Sequence, residues 1–326
     1  MKRRQFLGVV GGLAAAWPLV ARAQQPAMPT IGYFSGRSAD AEVAVREPFL
    51  KGLNDAGFVS GRNVAIDFQF AQGQTNQLPV LAADLVRRQV SLLVATDGPA
   101  SLAAKAATTT IPIVFATGED PVRVGLVASL SHPGGNATGV SLFTGQLGPK
   151  RLGLLRDILS KPGLIAFVAN PNSQSSPRQI AEMEAAAKAL AQPLLVLQAG
   201  TPREVDEAFA TMAQQKVSAV LFSATPFFQV IGDQLVALAA RYRIPASYEW
   251  RDPVAAGGLM SYSTNRNEVG RQMGNYAAQI LKGARPADLP AVQSSSFVFV
   301  INIKTARALG LEIPAQLLAL ADEVIE

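Results

Sequence analysis

The 326-residue chain contains no cysteine and a single histidine, His132. The first absence excludes disulfides, thiolate nucleophiles, Cys-ligated metals and an acylated N-terminal cysteine anchor. With one His and no Cys, a transition-metal site would need a carboxylate cluster, and the sequence offers none. The nucleotide fingerprints are missing too. No GxGxxG follows the first strand-like run, and no GxxxxGKS/T occurs anywhere. A Ser-His-Asp hydrolase would have to use His132, wedged before Pro133, yet no GxSxG elbow exists to pair with it. The glycine-rich stretch from Gly134 to Gly139 precedes a strand instead of following one, so it reads as a turn. Glu119 and Asp120 are adjacent acids in a loop, where neighbours point apart. The sequence gives no positive sign of an enzyme, and no cofactor or metal is expected.

An excess of charge of one sign is also missing once the first residues are set aside. Residues 1–23 have the three-part layout of an export signal. Met1-Lys2-Arg3-Arg4 is a basic start, Phe6 to Val20 is an apolar run, and Ala21-Arg22-Ala23 is a small-x-small cleavage site. The run, about fifteen residues and broken by Pro18, falls short of the roughly twenty that span hydrocarbon. The paired arginines with Phe6-Leu7 suit the twin-arginine route, although Lys2 and Gly8 depart from its pattern, so a general secretory route stays open. The segment holds Lys2, Arg3, Arg4 and Arg22 and no acid. Without it 25 basic residues face 24 acidic ones, and the formal +5 of the whole chain falls to +1. No basic stripe with interleaved aromatics is left, so a nucleic-acid partner is not expected. No other segment offers eighteen consecutive apolar residues, so nothing after cleavage is expected to span a membrane. The expected location is the periplasm.

What is present is a length and composition suited to two α/β lobes. About 300 residues remain, enough for two units of roughly 150, and 49% of the chain is hydrophobic against 16% charged. From Pro29 onward short apolar runs alternate with helical stretches. Strands are expected at Thr30–Phe34, Val64–Phe70, Leu92–Thr96, Pro112–Thr117 and Thr138–Phe143. A second set follows at Leu164–Ala169, Leu194–Gln198, Ala219–Ser223, Pro245–Glu249 and Leu259–Ser263. Most are continuous apolar runs, as in parallel strands covered on both faces. Val64, Ile66, Phe68 and Phe70 alternate with wetter residues and suit an edge strand. Between the strands lie stripes at helical spacing, such as Leu78, Leu81 and Leu85, or Val269, Met273, Tyr276 and Ile280. The alternation predicts a doubly wound, Rossmann-like parallel sheet, twice over.

In such sheets ligands bind beyond the carboxyl ends of the strands, where the strand order reverses. The loops expected there carry Ser35 and Arg37, then Thr96, Asp97 and Gly98, then Thr117 and Asp120. In the second half they carry Asn170, Asn172 and Ser173, then Thr225 and Phe227. Each loop leads into a helix start, which presents free N–H groups to an anionic group such as a carboxylate. The same Ser, Thr and Asp residues equally suit plain helix caps. Aromatics gather nearby at Phe227-Phe228 and at Tyr248-Glu249-Trp250, where faces at a cleft mouth would bind rings, or would pack a core or hinge.

The run IPIVFATGEDP at 111–121, continued by VASLSHPGGNATGVS at 127–141, resembles the ABC-transporter substrate-binding proteins whose characterised members take up tryptophan or tyrosine. Further matches are Asn170-Pro171, GGLMSY at 257–262, ILKG at 280–283, INIKT at 301–305 and the closing ADEVIE. The resemblance implies a type I periplasmic binding protein, two lobes joined by crossover segments and closing on a ligand by hinge motion. It implies a first lobe of residues 29–143 plus 264–290 and a second of 144–263 plus 291–326. Crossings are expected near Phe143–Leu147, Ser263–Asn265 and Pro286–Val292. Carried onto this sequence, it implies ligand contacts from the strand-end residues named above and from Tyr248, with Arg37 clamping a carboxylate and Phe227 or Tyr248 flanking a ring. The implied partners are a small molecule, an amino acid or aromatic acid, and an inner-membrane ABC permease, with the protein itself a monomer. A sensor lobe for a membrane receptor shares the same fold, and an exported enzyme is the remaining alternative.

Overall fold

The computed structural model describes residues 28–142, 147–159 and 163–326. The leader and most of the expected first crossing lie outside them. The β-branched and aromatic runs form strands, most of them buried. In the first half these are β1 (Thr30–Ser35), β2 (Ala65–Phe70), β3 (Leu92–Ala95), β4 (Ile113–Thr117) and β5 (Ala137–Ser141). In the second they are β6 (Ile165–Ala169), β7 (Leu194–Gln198), β8 (Ala219–Phe222), β9 (Ala246–Tyr248) and β10 (Met260–Thr264). Three more close the chain: β11 (Val292–Gln293), β12 (Phe297–Asn302) and β13 (Glu323–Ile325).

They pair as two sheets. The first runs β11-β5-β4-β3-β1-β2, all parallel. The second runs β13-β12-β10-β9-β8-β6-β7, parallel except where β12 meets β10. Each contains the doubly wound 2-1-3-4-5 order, so strand order reverses between β1 and β3 and again between β6 and β8. β2 lies at an edge, and all six of its residues are only half-buried, in keeping with its alternating sequence. Neither β11 nor the antiparallel β12 belongs to the repeated pattern. Val292–Gln293 pairs with Val140–Ser141, and Ala291 N–H donates to Leu130 O at 2.8 Å. The chain therefore stays with the first sheet past residue 290, the boundary expected from the sequence, and β12 and β13 then extend the second.

Helices cover both faces of each sheet, and every face has its own apolar cluster. The closest helix pairing is between Val43–Asp55 and Arg266–Leu281. A Cβ on Gly270 or Gly274 would run into the backbone oxygens of Val45 and Phe49, so these glycines let two backbones touch. Val269, Met273, Tyr276 and Ile280 then reach the core of the first sheet beside Tyr33 and Phe49. The helix Arg266–Leu281 arrives after the chain has built most of the second sheet, with Asn265 capping its first N–H groups. Thr264, the last residue of β10, donates its hydroxyl to Leu142 O at 2.7 Å and ties two connecting segments together. Among the described residues, no helix is long and apolar enough to cross a membrane.

Candidate functional site

Both reversal points open toward the same space, and the loops there are set by short-range hydrogen bonding. Asp97 is the N-cap of the helix Gly98–Ala107, with Oδ1 accepting from Ala100 N–H at 3.0 Å. Its Oδ2 accepts from Gly36 N–H at 2.6 Å and lies 2.9 Å from Ser35 Oγ. This carboxylate therefore ties the end of β3 to the end of β1. Thr225 caps the helix Pro226–Val230 in the second lobe, and Asn170 Oδ1 accepts from Asn172 N–H to shape the turn after β6. Thr117 Oγ1 accepts from Glu119 N–H. The capping role foreseen for these polar residues is real, and it holds them at the cleft.

Arg37 is the pivot of the first-lobe wall. Its Nη1 donates to Glu42 Oε2 at 2.9 Å and to Thr96 O at 3.0 Å, both deeply buried. Its Nε reaches across the cleft to Gln229 Oε1 of the second lobe at 2.6 Å. Burial works against the charge on Arg37, but Glu42 and Asp97, with Glu249, more than offset it and hold the guanidinium protonated. Two further ion pairs bridge the lobes: Arg266 to Asp252, and Arg178 to Glu119 at 3.8 Å. Gly36 packs so closely on Pro226 that a Cβ there would lie 3.1 Å from its ring. The two lobes are closed on each other.

Among the described residues, two compartments lie between them. The inner one, about 50 Å³, is lined by Arg37, Asp97, Gly98, Gly118, Glu249 and Trp250, among others. The outer one, about 480 Å³, has Leu78, Pro79, Pro99, Leu102, Ala103 and Ala106 on the first-lobe side. It is faced by Asn170, Asn172, Ser173, Gln174 and Ser175 from the second lobe. Pro99, Thr225 and Pro226 belong to both walls.

Glu249 gives the inner compartment its character. It follows β9 directly, and burial pushes its carboxyl above the ordinary 4.5, while Arg151, then Arg37 and Arg266, pull it back down. The Trp250 indole N–H also draws on it without reaching hydrogen-bond geometry, so that N–H is buried and unpartnered among the described residues. The Trp250 ring lies under the Arg266 guanidinium at 4.8 Å, a cation–π contact that fixes its plane. Behind Glu249 sits Arg151, 1% exposed, with Nε and Nη1 unpartnered among the described residues. Its helix, Leu147–Ile158, packs across β8, β9 and β10. Burial lowers the Arg151 pKa, partly offset by Glu249.

The positions singled out in the sequence fall into three groups. Arg37, Asp97, Gly98 and Thr225 line the inner compartment, and Asn170, Asn172, Ser173, Thr225 and Phe227 line the outer one. Ser35, Thr96 and Thr117 are buried just beneath the surface of the cleft, where they organise its walls. Asp120 and Tyr248 stand apart. Asp120 is exposed and accepts from Val122 and Arg123 N–H groups, shaping its own loop. Tyr248 is 2% exposed and stacks on Phe222 in the second-lobe core at 5.8 Å, because strand alternation turns it away from the cleft. The ring that reaches the inner compartment belongs to Trp250. Glu249, Gln229, Arg151 and Leu102 carried no motif that would have marked them as site residues.

The model of one family, described as ABC transporter substrate binding protein, matches residues 35–325. The chain belongs to the ABC transporter substrate-binding protein family. A curated family relative, a "Tyrosine-binding protein" of Clostridioides difficile strain R20291, is 29% identical over 268 residues, covering 82% of this chain and 76% of its own. Among solved structures, an ABC domain in complex with L-Trp from a pneumococcal Streptococcus is 26% identical with a TM-score of 0.82. It covers 91% of this chain and 99% of its own. A ligand-free, open substrate-binding protein with adhesive properties from Clostridium difficile is 27% identical with the same coverage, but its TM-score is 0.66. The lower score against an open form agrees with the closed lobes seen here. Two mainly parallel sheets flanked by helices make this a type I periplasmic-binding-protein fold.

Proposed function

We propose that the protein is an exported receptor that closes on an aromatic α-amino acid and presents it to an inner-membrane ABC permease. One observation carries the reading. The inner compartment sets a guanidinium, Arg37, and a carboxylate not taken up by backbone N–H groups, Glu249, around one small space at the reversal points of both sheets, while its other carboxylate, Asp97, is engaged by Gly36 and Ala100 N–H. That is the charge complement of a zwitterion. The ammonium is read onto Glu249, and the ligand carboxylate onto Arg37 with the start of the helix Gly98–Ala107, whose positive end favours an anion. Trp250 supplies an aromatic face beside them. The tyrosine and tryptophan attached to the relatives' names support the aromatic choice.

The lobes divide, in this reading, as residues 29–142 with 265–293 and residues 147–264 with 294–326. Closure about the connecting segments traps the solute. The layout of residues 1–23 supports export to the periplasm, where the chain acts as a monomeric carrier and not a catalyst. Thermal-shift and calorimetric titration of the purified protein with tyrosine, tryptophan, phenylacetate, sugars and nucleosides tests the reading. A ligand at about a hundred times its Kd should stabilise the fold by about 2.7 kcal/mol. Tyrosine or tryptophan should do so with saturation. A sugar or nucleoside acting in their place would sink the amino-acid assignment.

A further inference from the structure

The outer compartment is far larger than the side chain of a single aromatic amino acid needs, and it is built for a different chemistry. Its volume, about 480 Å³, lies within the ~300–1,000 Å³ range of pockets that hold drug-sized ligands. The first-lobe wall is mostly apolar, with Thr75, Asn76 and Glu119 as its polar residues. The second-lobe wall is amide and hydroxyl, but much of it is already engaged: Asn170 Oδ1 holds Asn172 N–H, and Ser173 Oγ lies 3.0 Å from Ser175 Oγ. Glu119, the acidic side chain among its lining residues, is taken up by Arg123 at 2.7 Å and faced by Arg178. Among the described residues lining it, no unengaged charge is left to hold a ligand head group. Asn76, Pro79, Ala106, Asn172 and Gln174 along this wall are exposed, so the compartment opens to solvent at that rim.

We propose that the outer compartment receives the distal end of the ligand, and that the protein accepts aromatic α-amino acids extended beyond the ring by an apolar group. The inference rests on the amino-acid reading above. With Arg37 and Glu249 confined to the inner compartment, the zwitterionic head points inward, and the side chain must leave past Pro99, Thr225 and Pro226, the residues common to both walls. Beyond them it meets Leu102 and Pro79 and, further out, the open rim. A side chain longer than tyrosine therefore gains apolar contact without meeting a closed end. Aryl and alkyl ethers of tyrosine represent this class.

Calorimetric titration of the purified protein with L-tyrosine, O-methyl-L-tyrosine and O-benzyl-L-tyrosine tests it. Both ethers should bind within about tenfold of tyrosine or more tightly. In the Leu102→Trp variant, which narrows the outer compartment, the affinity ratio should shift against the benzyl ether by about fivefold or more. Tyrosine bound while the benzyl ether loses more than about tenfold would overturn the proposal and leave the amino-acid reading standing. An unchanged ratio in Leu102→Trp would overturn the assignment of this compartment. Binding of none of the three, nor of tryptophan, would sink the parent reading and this inference with it.

Discussion

Closure brings Gly36 of the first lobe against Pro226 of the second, and replacing that glycine by alanine isolates the energetics of closing. A Cβ at position 36 would lie 3.1 Å from Pro226 Cγ, 3.3 Å from Pro226 Cβ and 3.3 Å from Asp97 Oδ2. The Asp97 contact lies within one lobe, so it is present whether the lobes are open or shut. The Pro226 contact exists only when they are shut. Over-packing of this kind costs about 1–3 kcal/mol. Charged to the closed state alone, it weakens binding by roughly 5- to 150-fold, since about 1.4 kcal/mol corresponds to tenfold. Titration calorimetry of Gly36→Ala with the ligand that binds the parent protein should show that loss, while the melting temperature of the ligand-free protein moves much less. Adding Pro226→Ala removes the nearer of the two ring atoms and should return part of the affinity, a coupling that a double-mutant cycle reads directly. Unchanged affinity in Gly36→Ala would show that ligand capture does not require the contact. The closed arrangement would then not be the bound one.

Gln229→Ala removes the interlobe hydrogen bond to Arg37 but leaves Arg37 on Glu42 and Thr96. Hydrogen bonds to charged groups contribute about 1.5–3 kcal/mol, so affinity should fall by roughly 10- to 150-fold with little change in unfolding midpoint. Affinity for an amine-bearing ligand should also fall on acidification, starting above the ordinary glutamate value of 4.5, because the carboxyl of free-form Glu249 titrates higher than that. The sign follows from linkage: the bound ammonium favours the ionised carboxylate, so binding strengthens as pH rises through the free-form pKa and levels off above it. Stability of the ligand-free fold runs the other way, since between 4.5 and the raised value the folded state holds more protons than the unfolded one, and rising pH costs stability there. Glu249→Gln should flatten both profiles, as followed by titration and thermal melts between pH 4 and 8 at about half-unit steps. Arg151→Met replaces a buried guanidinium having unpartnered nitrogens with an apolar side chain. Because it takes one partner from a buried pair and leaves Glu249 behind, the substitution should destabilise the fold by about 3–5 kcal/mol and move the acid limb of ligand binding to higher pH, since Arg151 opposes the burial of the Glu249 charge most strongly. An unmoved acid limb in that variant would refute the role assigned to Arg151.

The repeated strands were readable because parallel strands buried on both faces carry little but Val, Ile, Leu and Phe. The observed β1 to β10 follow those runs to within a residue or two at most ends. The walls of the cleft were readable for a related reason: reversal of strand order puts specific loops on one edge, and turn-forming residues mark those loops. What the sequence hid depends on partners distant along the chain. Gln229 and Arg37 are 192 positions apart, and neither sits in a motif that anticipates the other. Arg151 reads as an ordinary basic residue on a helix, and only the packing of that helix over β8–β10 buries it. Tyr248 and Trp250 are two residues apart, on either side of Glu249. Strand alternation sends Tyr248 into the core, and the chain has already left β9 when it reaches Trp250. The two-residue β11 is simply too short to leave a periodic signal.

Each sheet receives a strand from the far end of the chain: β11 for the first, β12 and β13 for the second. The glycine-faced helix Arg266–Leu281 that seals the first sheet is also late. Synthesis therefore delivers β1–β5 long before the pieces that cover them. Neither lobe can reach its native packing until residues past 290 have been made. The second lobe does not wait for the first in the usual order, because both are finished by the same closing stretch. A chain truncated before residue 266 should leave two incomplete sheets instead of one finished lobe.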